Sequence, residues 1–514
     1  SLNEAVNIGY VKSDFPLYHC EKCNKDSSYK QCPICSEESK KQFYCRECGK
    51  NLDKKCSIHE FSSDHQHRKF EIKELFDSAV SNLDIEVPSL IKGVRGMSSD
   101  SKEVERIEKG ILRAKHNLAV NKDGTIRYDG TEIPLTHFKP IEIGTSIEKL
   151  RELGYTEDSF GRKLVDENQI VNLMPHDILL PSCPETADEK ADIVFMNIAN
   201  FIDDLLEKFY KLPRYYNLKS REDLIGKLVA CMSPHNCAGV IGRIIGFSKL
   251  QGLVASPFMH AAMRRDCDGD EAAVMLLMDV LLNFSMKFLP SHRGGTQDAP
   301  LVLNARIQEG EVDDQILDFE TCWNYPLELY QLSEERKHSS EVNIETVKSF
   351  LEEGKNSFEN MGYTHDSSNI HSGVFNSSYK SLPSMREKVL GQMELANKLR
   401  SVDEADVARL VIERHFIRDI RGNLRKFSHQ QFRCVKCNEK YRRPPLVGVC
   451  KCGGKIIFTI SEGSIKKYLD PAMELAENYA IPPYTKQSLE LAKLYIESIF
   501  GRETEKQVDL NKWF

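Results

Sequence analysis

Eleven of the sixteen cysteines lie in three tight clusters, and these clusters constrain the fold more than any other feature of the chain. Cys20-x2-Cys23 is followed by Cys32-x2-Cys35, Cys45-x2-Cys48 by Cys56-x2-His59, and Cys434-x2-Cys437 by Cys450-x-Cys452. A CxxC turn holds two sulfurs close together, and two such turns close a tetrahedron about zinc. An imidazole nitrogen can replace one thiolate, so His59 completes the second set. His65 and His67 are alternative fourth ligands there, or else ordinary surface histidines. The third cluster has one spacing a residue short, and Gly453-Gly454 permits the tight turn it needs. Each set has four ligands, so all three are expected to be closed structural zinc sites. Clustered pairs without a secretion signal read as metal sites rather than disulfides, which implies a reducing cytoplasm. Cys183, Cys231, Cys237, Cys267 and Cys322 are scattered.

A chain of 514 residues with 40% apolar and 29% charged residues can bury a large core in about three or four domains. No stretch approaches the roughly 20 apolar residues of a membrane span, and the longest run, Ala272–Leu282, is broken by Asp279. No membrane partner is expected. The first residue is Ser rather than Met, so the chain reads as a piece of something longer. A net charge of −7 argues weakly against nucleic acid, but residues 413–455 hold twelve Lys/Arg against three Asp/Glu, a local +9. Lys436, Lys440, Tyr441, Arg442 and Arg443 fall inside the third cysteine loop. That arrangement suits a phosphate backbone, or is a solvated charged loop.

Along the chain, residues 71–120 read as mostly helical. Asn121-Lys122-Asp123-Gly124 predicts the turn of a hairpin over Val120–Pro134. Apolar spacing predicts a helix over Ile193–Tyr210. Short apolar runs with several glycines over residues 225–265 suit a small twisted barrel. Glu271–Leu289 reads as a long apolar helix, residues 330–375 as loops and surface helices, and Met385–Ile417 as helical. The last thirty residues read as a helix and a mobile tail.

Arg264-Arg265-Asp266-Cys267-Asp268-Gly269-Asp270-Glu271 is the most informative stretch. Asp266, Asp268 and Asp270 alternate, so an extended loop turns them the same way. Three such charges repel unless a cation joins them, and hard oxygen donors select Mg²⁺. An EF-hand is excluded, because its sixth and twelfth positions would be Glu271 and Leu277. An aspartyl-phosphate phosphatase needs an apolar strand before its first Asp, and two Arg stand there. A solvated acidic turn stays open, although the expected apolar helix follows at once and would anchor the loop to a core. The remaining reading is a two-metal nucleotidyl-transfer site.

Asp-x-Asp-Gly-Asp resembles the metal loop of multisubunit RNA polymerases, whose catalytic unit is a pair of double-psi β-barrels. Flanking stretches sharpen the likeness: Ser233–Phe247 (SPHNCAGVIGRIIGF), His260–Arg265 (HAAMRR), Asp279–Ser285 (DVLLNFS) and Arg293–Pro300 (RGGTQDAP). So do Lys92–Gly96 (KGVRG), Glu108–Lys115 (EKGILRAK), Phe201–Tyr210 (FIDDLLEKFY) and Arg421–Arg425 (RGNLR). Together they resemble the large catalytic subunit of archaeal family D DNA polymerases over nearly the whole chain. The resemblance implies DNA-templated DNA synthesis by a two-barrel site and a smaller 3′–5′ exonuclease subunit. It places catalytic carboxylates on Asp268 and Asp270. Asp266 departs from the family, which usually has Asn there, and is a candidate third Mg²⁺ ligand. The family's partner barrel, with its catalytic lysines, lies upstream of the first cysteine cluster. This chain alone is therefore expected to be inactive.

Primer–template DNA, dNTP and primase complete the expected partners. Arg243, Arg264 and Arg265 are candidates to contact phosphate, or to pair with carboxylates inside the fold. Lys92, Arg95, His292, Arg293, Arg442 and Arg443 are further DNA or nucleotide candidates, whereas His235 and His260 read as interior histidines. The end, Gln507-Val508-Asp509-Leu510-Asn511-Lys512-Trp513-Phe514, looks like the peptide that binds sliding clamps of the PCNA type. In one helical turn Leu510, Trp513 and Phe514 share a face, and Gln507 fills a polar pocket. An RNA polymerase-like enzyme and a non-catalytic zinc-ribbon scaffold for DNA and clamp are the rival readings.

The expected class is α+β and multidomain, with a double-psi β-barrel of the two-barrel polymerase type, helical segments and three zinc modules. Two zinc modules occupy 1–70, a mixed helical and β region 71–225, and the barrel with its acidic loop and following helix 226–330. A mainly helical region covers 331–425, the third zinc module 426–462, a helical region 463–500 and a flexible clamp-binding tail 501–514.

Overall fold

The computed structural model describes residues 2–59, 62–86, 90–93, 104–186, 189–234, 238–285, 301–308, 314–363, 369–437, 439–457 and 460–501. The chain forms two compact units, one of Ser1–Asn324 with Ile344–Asn376, the other of Tyr325–Asn343 with Ser377–Phe514. The architecture is mixed α and β. Among the described residues no helix is long and apolar enough to cross a membrane.

The first unit is built on a closed barrel. Its strands are β1 (Tyr128–Pro134), β2 (Asp177–Pro181), β3 (Leu228–Met232), β4 (Ala238–Ser248), β5 (Leu253–Ala255) and β6 (Glu271–Leu276). They are ordered β2-β5-β1-β6-β3-β4, and a parallel β2–β4 pairing closes the ring. A short strand, β7 (Val302–Asn304), adds in parallel to β4. The β5–β1 pairing is also parallel, and the other ring contacts are antiparallel.

Both faces of β3 and β6 are covered. Val229, Cys231, Val274 and Leu276 join one buried cluster, while Ala230, Met232, Ala273 and Met275 join another. Such strands read as unbroken apolar runs rather than alternating ones. That corrects the expected helix over Glu271–Leu289: Glu271–Leu276 is a strand, and among the described residues of that span the helix is Leu277–Asn283. A continuous apolar run has no period to separate the two states.

The hairpin over Val120–Pro134 is corrected as well. The turn forms, with the Gly124 amide donating to the Asn121 carbonyl at 3.1 Å. The strand begins only at Tyr128, and its partners are β5 and β6 rather than residues before the turn. The expected helix over Ile193–Tyr210 forms. Ala191–Asp204 is a helix that continues as a π-helical turn over Leu205–Tyr210, and Phe195, Ile198, Phe201 and Ile202 are buried along it.

The helix Ile107–Lys115 carries a fully buried arginine. Arg113 donates from Nη2 to Glu105 at 2.6 Å and to the Gly124 carbonyl at 3.0 Å, and its guanidinium lies 5.7 Å from the Phe201 ring centroid. It thereby ties this helix to the turn before β1 and to the helix Ala191–Asp204.

In the second unit, helices Met385–Lys398, Glu404–Leu410, Ile417–His429, Leu469–Asn478 and Pro483–Phe500 share one core. Met393, Ile412, Phe416, Leu475, Leu489 and Ile496 lie within it. The third cysteine cluster lies between the Ile417–His429 helix and Glu462–Lys466.

Breaking a buried ion pair from one side strands the other charge, which costs about 3–5 kcal/mol, whereas replacing both partners costs far less. Arg113→Met is expected to lower stability by that amount, and Arg113→Met with Glu105→Gln to recover most of it. Urea unfolding checks this, and additive losses in the double variant would contradict it.

Candidate functional site

The acidic loop is fixed at both ends. Before it, Pro257–Ala262 is a short helix whose first turn is capped by Ser256, the hydroxyl accepting from the Phe258 amide at 3.3 Å. Arg264 then adopts φ +60°, a left-handed conformation uncommon outside glycine, and turns the chain out. Gly269 follows at φ +116°, where a side chain would be strained. After the loop the chain enters β6, and the Asp270 carbonyl accepts the Glu132 amide of β1 at 3.0 Å. Asp266 and Asp268 are exposed and Asp270 is half-buried. The loop therefore presents carboxylates to solvent from the edge of a rigid barrel.

The three carboxylates are not drawn to one point. Among the described residues, four groups bring three or more ligand atoms within 4.8 Å of one another, and Asp266, Asp268 and Asp270 are not such a group. Like charges repel, and two of the three are engaged elsewhere. Gln315 donates from Nε2 to Asp266, and Arg265 Nε lies 3.2 Å from Asp270 Oδ2. Arg265 is thus a carboxylate partner, one of the two roles its sequence left open.

Arg243 resolves the other way from a DNA contact. Its Nε and Nη2 meet the two oxygens of Asp177 at 2.9 and 2.8 Å, a bidentate pair inside the barrel wall. Arg264 is exposed on the loop, as are Arg442 and Arg443 beside the third cysteine cluster. Lys92 donates to the Asn117 side chain at 3.2 Å. His260 is an interior histidine, 1% exposed, with Nε2 on the Ile133 carbonyl at 3.1 Å. Arg95, His235, His292, Arg293 and the tail residues Gln507, Leu510, Trp513 and Phe514 lie outside the described residues.

Sequence reading missed two neighbours of the loop. Gln315 arrives from a short helical turn, Asp314–Asp318. Glu132 has a fully buried side chain, and its Oε2 accepts from the Cys267 thiol at 3.7 Å. Burial and then the Glu132 charge push that thiol up to about 12, so Cys267 is not a ready nucleophile. Glu132 stands two residues before the end of β1, in a strand that also carries Asp129 and Thr131, so no local pattern singles it out.

All three cysteine clusters do come together, each with four ligand atoms within 4.8 Å of one another. Cys20 and Cys35 are 3.5 Å apart, Cys48 and Cys56 3.8 Å, Cys434 and Cys452 3.5 Å, and Cys437 and Cys450 3.4 Å. Sulfurs about 2.3 Å from a shared tetrahedral zinc would be roughly 3.8 Å apart, so the sets can hold such an ion. In the second cluster His59 turns Nδ1 to the sulfurs, 3.3 Å from Cys48, while Nε2 meets Glu47 at 2.9 Å. A carboxylate behind the imidazole is the usual outer partner of a metal-bound histidine. His65 and His67 pair instead with Asp64 and Asp14, each at 3.3 Å.

Against known proteins, residues 84–388 match the family model described as DNA polymerase II large subunit DP2, catalytic domain. The chain is 48% identical over 509 residues to a DNA polymerase II large subunit of Archaeoglobus fulgidus, which covers 98% of this chain and 44% of that protein. It is 44% identical over 550 residues to the protein of that name from Nanoarchaeum equitans, covering 98% of this chain and 44% of the relative. With the Pyrococcus furiosus protein of the same name it shares 44% identity over 515 residues, 97% of this chain and 40% of the relative. The chain thus spans less than half the length of these relatives.

A Cβ added at Gly454 would lie 2.5 Å from Cys434 Sγ and 2.8 Å from Lys436 Cβ. Gly454→Ala is expected to loosen the third cluster alone, so that after both chains are loaded with Zn²⁺ one equivalent passes to a chromogenic chelator faster than in the parent chain. Equal release rates would show that the turn has room to spare.

Proposed function

The chain belongs to the family of DNA polymerase II large subunit catalytic domains, and on that premise we propose that it carries the acidic half of a DNA-directed DNA polymerase site. One observation carries the reading: an exposed Asp-x-Asp-Gly-Asp loop projects from a closed barrel inside the matched segment. The barrel is proposed to be of the double-psi type, one half of a two-barrel site. The reaction joins a dNTP to a primer 3′-hydroxyl and releases pyrophosphate.

Asp268 and Asp270 are the proposed Mg²⁺ ligands, with Asp266 as a third. Their oxygens are hard donors, and their exposure leaves room for water and phosphate around an ion. Bound there, Mg²⁺ supplies acidification of the 3′-hydroxyl and neutralises phosphate charge. Arg265 holds Asp270 until a cation takes its place, and Gln315 does the same for Asp266. Arg264, on the same loop, is proposed to meet phosphate, with Lys92, Arg95 and Arg293 as further backbone contacts. Arg442 and Arg443, beside the third cluster, are proposed as separate phosphate contacts of the second unit.

Zn²⁺ is the proposed occupant of the three cysteine clusters. It would hold loops whose short strands could not stay folded unaided. A smaller exonuclease subunit and primase are proposed partners, in the cytoplasm. Gln507, Leu510, Trp513 and Phe514 are proposed to dock on a sliding clamp.

Two measurements test this on the assembled, full-length polymerase. Loss of an outer-shell partner alone costs metal sites about 10–100-fold, so Asp268→Ala or Asp270→Ala is expected to cut primer extension by roughly a hundredfold or more. Full activity in both variants would leave only a binding scaffold. Deleting residues 507–514 is expected to abolish clamp-dependent processivity while distributive synthesis persists, and unchanged clamp binding would refute the tail's role.

A further inference from the structure

The fourth convergent group lies behind the acidic loop and has no part in the reaction proposed above. Glu132, His260 and Cys267 bring three ligand atoms within 4.8 Å of one another. Glu132 Oε2 is 3.7 Å from Cys267 Sγ and 3.6 Å from His260 Nδ1. Three donors on one tetrahedral zinc-class ion would be about 3.3–3.6 Å apart, given bonds of about 2.0–2.3 Å. The spacing is therefore close to that of a formed site.

Two further observations point to a ligand. Among the described residues, His260 Nδ1 and Glu132 Oε1 are buried and have no hydrogen-bond partner, on side chains 1% and 0% exposed. Buried polar atoms without partners are uncommon and call for a reason. The His260 ring is also already set. Its Nε2–H donates to the Ile133 carbonyl at 3.1 Å, which leaves the Nδ1 lone pair turned toward Glu132. Metal-binding imidazoles are commonly fixed in this way by a carbonyl on the far nitrogen. Cys267 itself is exposed, so an ion can enter from solvent on the loop side.

We propose that Cys267, His260 and Glu132 form a site for one thiophilic divalent cation of the zinc class, with a fourth position open to water. The thiolate selects a softer ion than the carboxylates of the same loop do. On ligation the thiol proton leaves to water. An occupied site ties the loop to the barrel wall between Asp266 and Asp268. It makes the loop's position sensitive to soft metals as well as to magnesium.

The test uses the full chain with its three cysteine clusters saturated by Zn²⁺ and then titrated with Co²⁺ alone. The expected result is one further equivalent bound, with a thiolate-to-cobalt charge-transfer band. Cys267→Ser should remove that band, and Glu132→Gln should weaken the binding at least about tenfold. A wild-type chain that shows no such band overturns the proposal. So does a band that survives in Cys267→Ser, since it would come from exchange at another cluster. The exposed Cys267 position makes the serine variant a mild one, and the wild-type titration decides the matter without any variant.

Discussion

The ring closes at one pairing, and that pairing has a charge at its end. Asp177 and Arg243 are register partners where β2 meets β4 in parallel, and their side chains repeat the contact with two charge-assisted hydrogen bonds. Tyr155 adds a third bond, its hydroxyl donating to Asp177 Oδ2 at 2.6 Å. Bidentate pairs of this kind add geometric specificity to their energy. Without this parallel contact the six strands would be an open sheet with two bare edges. The acidic loop depends on the closure, because β6 reaches it through the same ring.

The loop itself combines a rigid frame with loose tips. A capped helix and a left-handed residue deliver the chain to it, and a backbone hydrogen bond to β1 receives it. Between these points Asp266 and Asp268 are exposed and Asp270 is half-buried, and Gln315 and Arg265 meet Asp266 and Asp270 in turn. The arrangement separates two tasks. The barrel fixes where the charges stand, and their side chains reach out from it to solvent or to a single protein partner.

What could be read from sequence was what is local. The cysteine spacings give their own geometry, because each pair acts within a single turn, and all three clusters assemble from the residues expected. The acidic pattern named the loop, and the glycine-rich stretch before it pointed to a barrel. What failed was non-local. Glu271–Leu276 has no alternation because both its faces are covered, so only its neighbours β1 and β3 make it a strand. Arg243 looked available for phosphate until Asp177, 66 residues away, claimed it. Glu132 and Cys267 are 135 residues apart, and no pattern in either segment announces the other.

The direct passage from Asp270 into β6 has a consequence for how such a loop can vary. Side chains along a strand alternate between faces, so slipping the register by one residue exchanges the two sets. An insertion between Glu271 and Ala272, inside the strand, would send Ala273 and Met275 toward the cluster that now receives Val274 and Leu276, and the reverse. Length changes once the strand has begun are therefore opposed by packing. On the other side, ahead of Asp266, the chain has just left a helix and owes no register to a neighbour. Natural or engineered drift in loop length should accumulate there, as a hinge whose far leaf is bolted down.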